Sequence, residues 1–399
     1  MSLYIKHSIL GLFLASLITP LSAIDHRAVV IVPVADLLGQ PQSTQAIPAS
    51  LAYKNIPLFG GKNRYVMCPR MHQLLYNEVV EVVEERGDEC LIRLPAVFYI
   101  TATTTTPQRQ YWTLKSNLLK FAHFKRHSIL PSVIPAAATS SPHQPKTVTL
   151  TSPWKDPRTN RTFSAGTRFV RTPESKTTTY HVYSIDPQTL RVHTLSIPAS
   201  YCYDPARTQD KRAAFIKILR DWATPPHGFI PYVWGGTSFT TLCHDQSFTE
   251  VETPQGSYYA FPNYPLEPKT GFDCSGIILR AADIVGIPYY CKNTYTIGAT
   301  LPHLQKHDVL ENGDLILIFG HVMIVSDVQK GLLIEARAHH HGYGKVHEIH
   351  LKDVFKGIHT YQELVHAYHK RLPLERFDKD GTLRDTFTSW AIIKLPIPN

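Results

Sequence analysis

Hydrophobic and polar residues alternate over short runs in the first half of the chain and follow longer periods in the second. "RAVVIVPVADLL" (27–38), "NEVVEVVEERGDECLIRLP" (77–95) and "QYWTLKSNLLKF" (110–121) contain strand-length apolar runs. The middle one turns at Arg86-Gly87-Asp88 and reads as two strands. The pattern predicts a small β-barrel over residues 24–131. Residues 132–146, rich in Pro, Ser and Ala, read as a linker. A second β-rich stretch, 147–206, follows with "TVTLTSPW", "GTRFVRT", "TTYHVYSID" and "LRVHTLSIP". From residue 207 the texture changes. In "RTQDKRAAFIKILRDWA", Ala213, Phe215, Ile216, Ile218 and Leu219 share one helical face, and Pro225-Pro226 would stop the helix. "GFDCSGIILRAADIVGI" predicts a helix entered through Asp273-Cys274-Ser275 and ended by Gly286. "GDLILIFG", "HVMIVSDV" and "GLLIEARA" read as three successive antiparallel strands, so residues 207–399 form an α+β unit. The tail beyond about 366 carries no pattern that assigns it more than a packing role.

Length and composition agree with several domains rich in short strands. The 399 residues exceed one typical domain, and 30 prolines against 21 glycines favour strands and rigid loops. Residues 1–23 look like a cleavable export signal: Lys6 and His7, the apolar run "SILGLFLASLI", then "PLSA" before a cut after Ala23. That run is short for a bilayer span, and no other segment is long and apolar enough for one. The formal charge is +9, but the basic residues are scattered and not interleaved with aromatics. This argues against nucleic acid as a partner and suits an anionic polymer. The six cysteines, at 68, 90, 202, 243, 274 and 291, form no CxxC pair, which disfavours a zinc ribbon. They are too sparse for a disulfide scaffold, although export permits one or two bridges.

Cys274 stands apart because of its position. A thiol attacks a carbonyl as thiolate, and a helix N-terminus with small residues beside it both stabilises the anion and leaves room for a substrate. His321 opens an apolar strand after Gly320, at a strand edge that can lie against the helix start and take the thiol proton. The next strand offers Glu335 as a carboxylate to orient the imidazole. The run His339-His340-His341 follows; adjacent strand residues point to opposite faces, so the three would not converge on one metal ion.

"PYVWGG" (231–236), "GFDCSG" (271–276), "NGDLILI" (312–318) and "HVMIV" (321–325) occur in the order found in the NlpC/p60 cell-wall cysteine peptidases, which residues 207–365 resemble. The resemblance implies an α+β, papain-like catalytic domain that needs no metal or cofactor. It would cut peptidoglycan stem peptides (L-Ala-γ-D-Glu-diamino acid) at the γ-D-glutamyl–diamino acid bond through a thioester. By position, Cys274 matches the nucleophile, His321 the base, and Tyr232 the tyrosine of the oxyanion and substrate site. Asp273 and Ser275 match residues that bind a free L-Ala amine. Glu335 departs from the usual third residue, with His339 or His341 as alternatives if the strand slips. The two β stretches resemble bacterial SH3-like modules, irregular around 45–70 and at "FYITATTTTPQRQ". Two alternatives stay open: a wall-binding protein with a degenerate peptidase domain, and an amidase or acyltransferase of the same fold.

Overall fold

The computed structural model describes residues 26–44, 57–58, 69–104, 106–135, 147–176, 178–208, 210–254, 256–261 and 269–397. The expected export signal (1–23), Cys68 and residues 136–146 of the linker lie outside the described residues. Seven strands form the first sheet: β1 (Arg27–Val30), β2 (Val34–Leu38), β3 (Arg70–Leu75), β4 (Val79–Arg86), β5 (Glu89–Arg93), β6 (Gln110–Leu114) and β7 (Leu118–Lys120). Their order is β3-β2-β6-β5-β4-β1-β7, and β3 and β7 are its edges. The Gly87 turn and every strand but β3, which lies outside the predicted runs, are those the alternation predicts, but no pairing among the described residues closes a barrel. The joint between β2 and β6 is narrow, a single register pair of Leu38 with Trp112.

Among the described residues of 147–206, no pairing closes a barrel either. They form small separate sheets, including Thr147–Leu150 flanked by Arg168–Val170 and Cys202–Tyr203, and the hairpin of Thr179–Ile185 with Val192–Pro198. The two β regions share apolar cores. Tyr76 packs with Phe163 and Phe169, and Val29 and Leu119 pack with Ile185. Val133 and Ile134, expected in a linker, are buried in that second cluster.

Helix α1 (Lys211–Ala223) starts where the Asp210 side chain accepts the Ala213 N–H and buries Phe215, Ile216, Ile218, Leu219 and Trp222. Ala213, expected on the same face, is exposed, and Trp222 lies in the core instead. Helix α2 (Cys274–Val285) is capped by Asp273 and ends at Gly286, whose φ of 71° suits a residue without Cβ. It is buried on nearly every side, Asp283 excepted, so it is the pillar of the domain. Against it lies a five-stranded antiparallel sheet of β8 (Leu315–Ile318), β9 (His321–Asp327), β10 (Leu332–Arg337), β11 (Lys345–His350) and, from the tail, β14 (Ala391–Ile393). The order is β11-β10-β9-β8-β14. The tail also supplies helix α3 (Tyr361–His369) and a hairpin of β12 (Leu374–Phe377) with β13 (Leu383–Phe387).

Arg280 ties the pillar to the first sheet. Its buried guanidinium donates to Thr237 O at 2.8 Å, to Gln73 O at 3.2 Å and to Glu78 Oε1 at 2.7 Å. Gln73 in turn accepts from Thr237 N at 3.1 Å and from Ser238 Oγ at 2.7 Å. The loop after "PYVWGG" is thus fixed by residues far earlier in the chain.

Candidate active site

Cys274 is the first residue of α2 and is 8% exposed. The backbone N–H groups of Val322 and Ser275 lie near enough to its sulfur to favour the thiolate in part. Val322 follows His321, so the helix start abuts the first residues of β9. Burial pushes the Cys274 thiol up to about 12, the Asp273 carboxylate adds to this, and Val322 N–H, the Lys292 ammonium and Ser275 N–H pull it back only in part. Desolvation is the largest influence on the thiol, so its place at a helix start does not by itself lower it.

The turn Phe319-Gly320 brings the chain back so that His321 pairs with Ile318 at the turn end of the hairpin. Its Nε2 lies 2.7 Å from Oε2 of Glu335, which is 1% exposed on the neighbouring strand. Burial alone would raise the Glu335 carboxyl. The hydrogen bond from His321 and the close approach of His347, with the charges of His321 and Arg337, hold it well below the usual carboxylate range. His347 Nε2 is 3.3 Å from Oε1 but off the hydrogen-bond line. Arg376, from β12, reaches the same Oε2 at 2.5 Å.

The histidine run is a 3₁₀ turn and not a strand, so the argument from alternating faces does not apply to it. His339 is stacked on Tyr259 with ring centroids 4.9 Å apart, edged by Phe248 at 5.0 Å and Tyr232 at 6.1 Å, and neither ring nitrogen has a partner among the described residues. His341 turns its Nδ1 to Asp378 at 3.1 Å. Neither is hydrogen-bonded to His321.

No family model and no curated protein matches the chain. Solved structures do. An NlpC/P60 family protein from Bacillus cereus aligns over 82% of this chain and 94% of its own, with a TM-score of 0.50 and 17% identity. This chain has the NlpC/P60 fold. NlpC2 from Trichomonas vaginalis aligns over 82% of this chain and 94% of its own at a TM-score of 0.31 and 12% identity. The peptidoglycan hydrolase RipB from Mycobacterium tuberculosis covers 39% of this chain and 67% of its own, at a TM-score of 0.23 and 22% identity.

Within the NlpC/P60 fold, Tyr232 is 5% exposed and shares a core cluster with Cys274. Burial first, then the charges of Cys274 and Asp273, raise its phenol well above the ordinary value. Asp273 and Ser275, expected to hold a substrate amine, are engaged within the chain. Asp273 Oδ1 accepts from Gly276 N at 2.5 Å and Ser275 Oγ at 3.0 Å, while Oδ2 meets the buried Lys292 ammonium at 2.9 Å. Ser275 Oγ is also 2.7 Å from Lys292 O, so its single proton is shared between that carbonyl and the Asp273 carboxylate. Lys292 and Arg376 had no sequence signal: each is an isolated cation in an unpatterned segment, and only the fold brings it to the site.

Proposed function

We propose that the chain is an exported cysteine peptidase that hydrolyses the γ-D-glutamyl–diamino acid bond of peptidoglycan stem peptides. Residues 1–23 would act as its signal and the β regions as SH3-like walls of the cleft. The observation that carries this reading is the convergence of three elements: Cys274 at a buried helix start, His321 at the adjoining strand start, and Glu335 on the imidazole at 2.7 Å. The fold shared with an NlpC/P60 protein adds support.

The chemistry is that of a thiol beside an imidazole. The Cys274 sulfur attacks the γ-glutamyl carbonyl carbon while His321 takes the thiol proton. Collapse of the tetrahedral intermediate breaks the C–N bond, and the imidazolium gives its proton to the departing diamino-acid amine. Water, deprotonated by the imidazole, then attacks the thioester, releasing the glutamyl carboxylate and restoring the thiol. Glu335 keeps the imidazole in the tautomer that faces sulfur. Tyr232, at the edge of the same core, borders the substrate site.

The test is incubation of the full chain and of Cys274→Ala with a tripeptide stem, followed by mass spectrometry of the products. Dipeptide and free diamino acid from the wild type alone support the reading. No cleavage by folded wild type would favour the wall-binding alternative. Transfer to an added amine in place of hydrolysis would favour the acyltransferase.

A further inference from the structure

The C-terminal hairpin sends one side chain into the site. Arg376 is 2% exposed, and its guanidinium lies 6.0 Å from the ring centroid of Phe355. Its one ion-pair partner among the described residues is Glu335, at 2.5 Å. The oxygen it touches, Oε2, is the one that accepts from His321 at 2.7 Å. Two cations or potential cations therefore meet on one carboxylate oxygen.

The other cationic groups act on this oxygen from farther away. Arg337, on the same strand as Glu335, is 4.0 Å away and commits its Nη2 to Asp378 at 3.1 Å. Asp378 is shared further with His341 and with Arg384. His347, from β11, faces the opposite oxygen and is stacked under Tyr343, with centroids 4.5 Å apart. Toward α2 stand Cys274 and Asp273, the latter already neutralised by Lys292.

We propose that Arg376 is a positioning residue of the Cys274–His321 pair, holding the Glu335 carboxylate against the imidazole and offsetting the negative charge it presents to the ring. Without the guanidinium, the full carboxylate charge faces His321 and favours the protonated ring, which cannot accept the thiol proton. The inference rests on the hydrolase reading only in needing His321 as base.

The experiment is a titration that needs no substrate. The full chain is labelled with 13C at histidine Cε1, and the His321 signal is identified by its absence from His321→Ala. Arg376→Gln keeps a donor without the charge, Arg376→Met keeps neither, and Arg376→Lys restores the charge. Both neutral variants should move the His321 midpoint up by roughly one to two pH units, as expected for removing a charge that shares the carboxylate oxygen with the ring. Arg376→Lys should bring it back towards the wild-type midpoint. In a Glu335→Gln background the direct field of the guanidinium on the ring remains, so Arg376→Gln should still raise the midpoint, but by clearly less, because the carboxylate it holds is gone. A midpoint unmoved in Arg376→Gln, or moved equally with Gln at 335, overturns the proposal. Shifted midpoints in a protein that cleaves no stem peptide would remove the hydrolase reading and leave this one standing.

Discussion

Replacing Gly276 with alanine tests how tightly the cysteine helix is seated. A Cβ at this position would stand 2.0 Å from Gly236 O, 2.9 Å from Thr237 Cγ2 and 3.0 Å from Asp273 Oδ1. Carbon and carbonyl oxygen approach no closer than about 3.3 Å in ordinary contacts, so roughly 1 Å of separation must be made. The obstructing oxygen cannot easily yield, because it accepts the Asp273 N–H at 3.1 Å. The shift therefore falls on the helix start that carries Cys274. Overpacking of this kind costs about 1–3 kcal/mol, and a misplacement of about 1 Å at reacting atoms lowers turnover by about 100-fold. The assay pairs stem-peptide turnover, followed by mass spectrometry, with calorimetric unfolding of the same preparation. We expect turnover to fall about 100-fold and Tm by several degrees, with secondary structure intact. Turnover within twofold of wild type at an unchanged Tm would refute the reasoning, since the helix start would then have slack to absorb a methyl group.

Three further outcomes follow from the site. Glu335→Gln should lower turnover at saturating substrate by roughly 10-fold, far less than the about 10⁴ of a serine-protease Asp→Asn change, because Arg376 already shares its oxygen; a loss as large as that would mean the arginine offsets little. Lys292 already neutralises Asp273, so free and N-acetylated stems should be cut at similar rates and Lys292→Met should acquire a preference for the free amine; a strong wild-type preference for free stems would show that Lys292 moves aside. Burial among aromatic rings lowers His339 from 6.5 to about 3, so its contribution to stability is full above pH 6.5 and is lost as pH falls towards 3. His339→Phe should flatten the decline of Tm across that window, and an unchanged slope would place the titration elsewhere.

Periodicity made the helices and strands legible because each buries a face of its own. The pillar from Cys274 to Val285, its Asp273 cap and its Gly286 stop can be read along the chain, as can the three strands that carry His321 and Glu335. Pairing was less legible. Alternation marks a strand without naming its neighbour, so the open order of the first sheet and the separate sheets of the second could not be read from it. Burial was hidden too. "DCSG" announces a helix start, but the desolvation that raises the thiol to about 12 depends on what covers it. The same motif shows small residues without showing that Gly276 faces the Gly236 carbonyl and not a ligand. Lys292, Arg280 and Arg376 act across long stretches of sequence, where no local pattern records them.

The ion pair between Arg376 and Glu335 also sets an order in time. A chain leaves the ribosome N-terminus first, so the thiol, the imidazole and the carboxylate all emerge before the guanidinium that completes them. A nascent chain stalled shortly before residue 376 would carry the whole catalytic motif with a buried carboxylate still awaiting its partner. Completion of the site is thus tied to synthesis of the hairpin, and a frameshift or early stop just upstream of it would yield a protein whose motif looks intact and whose site is unfinished.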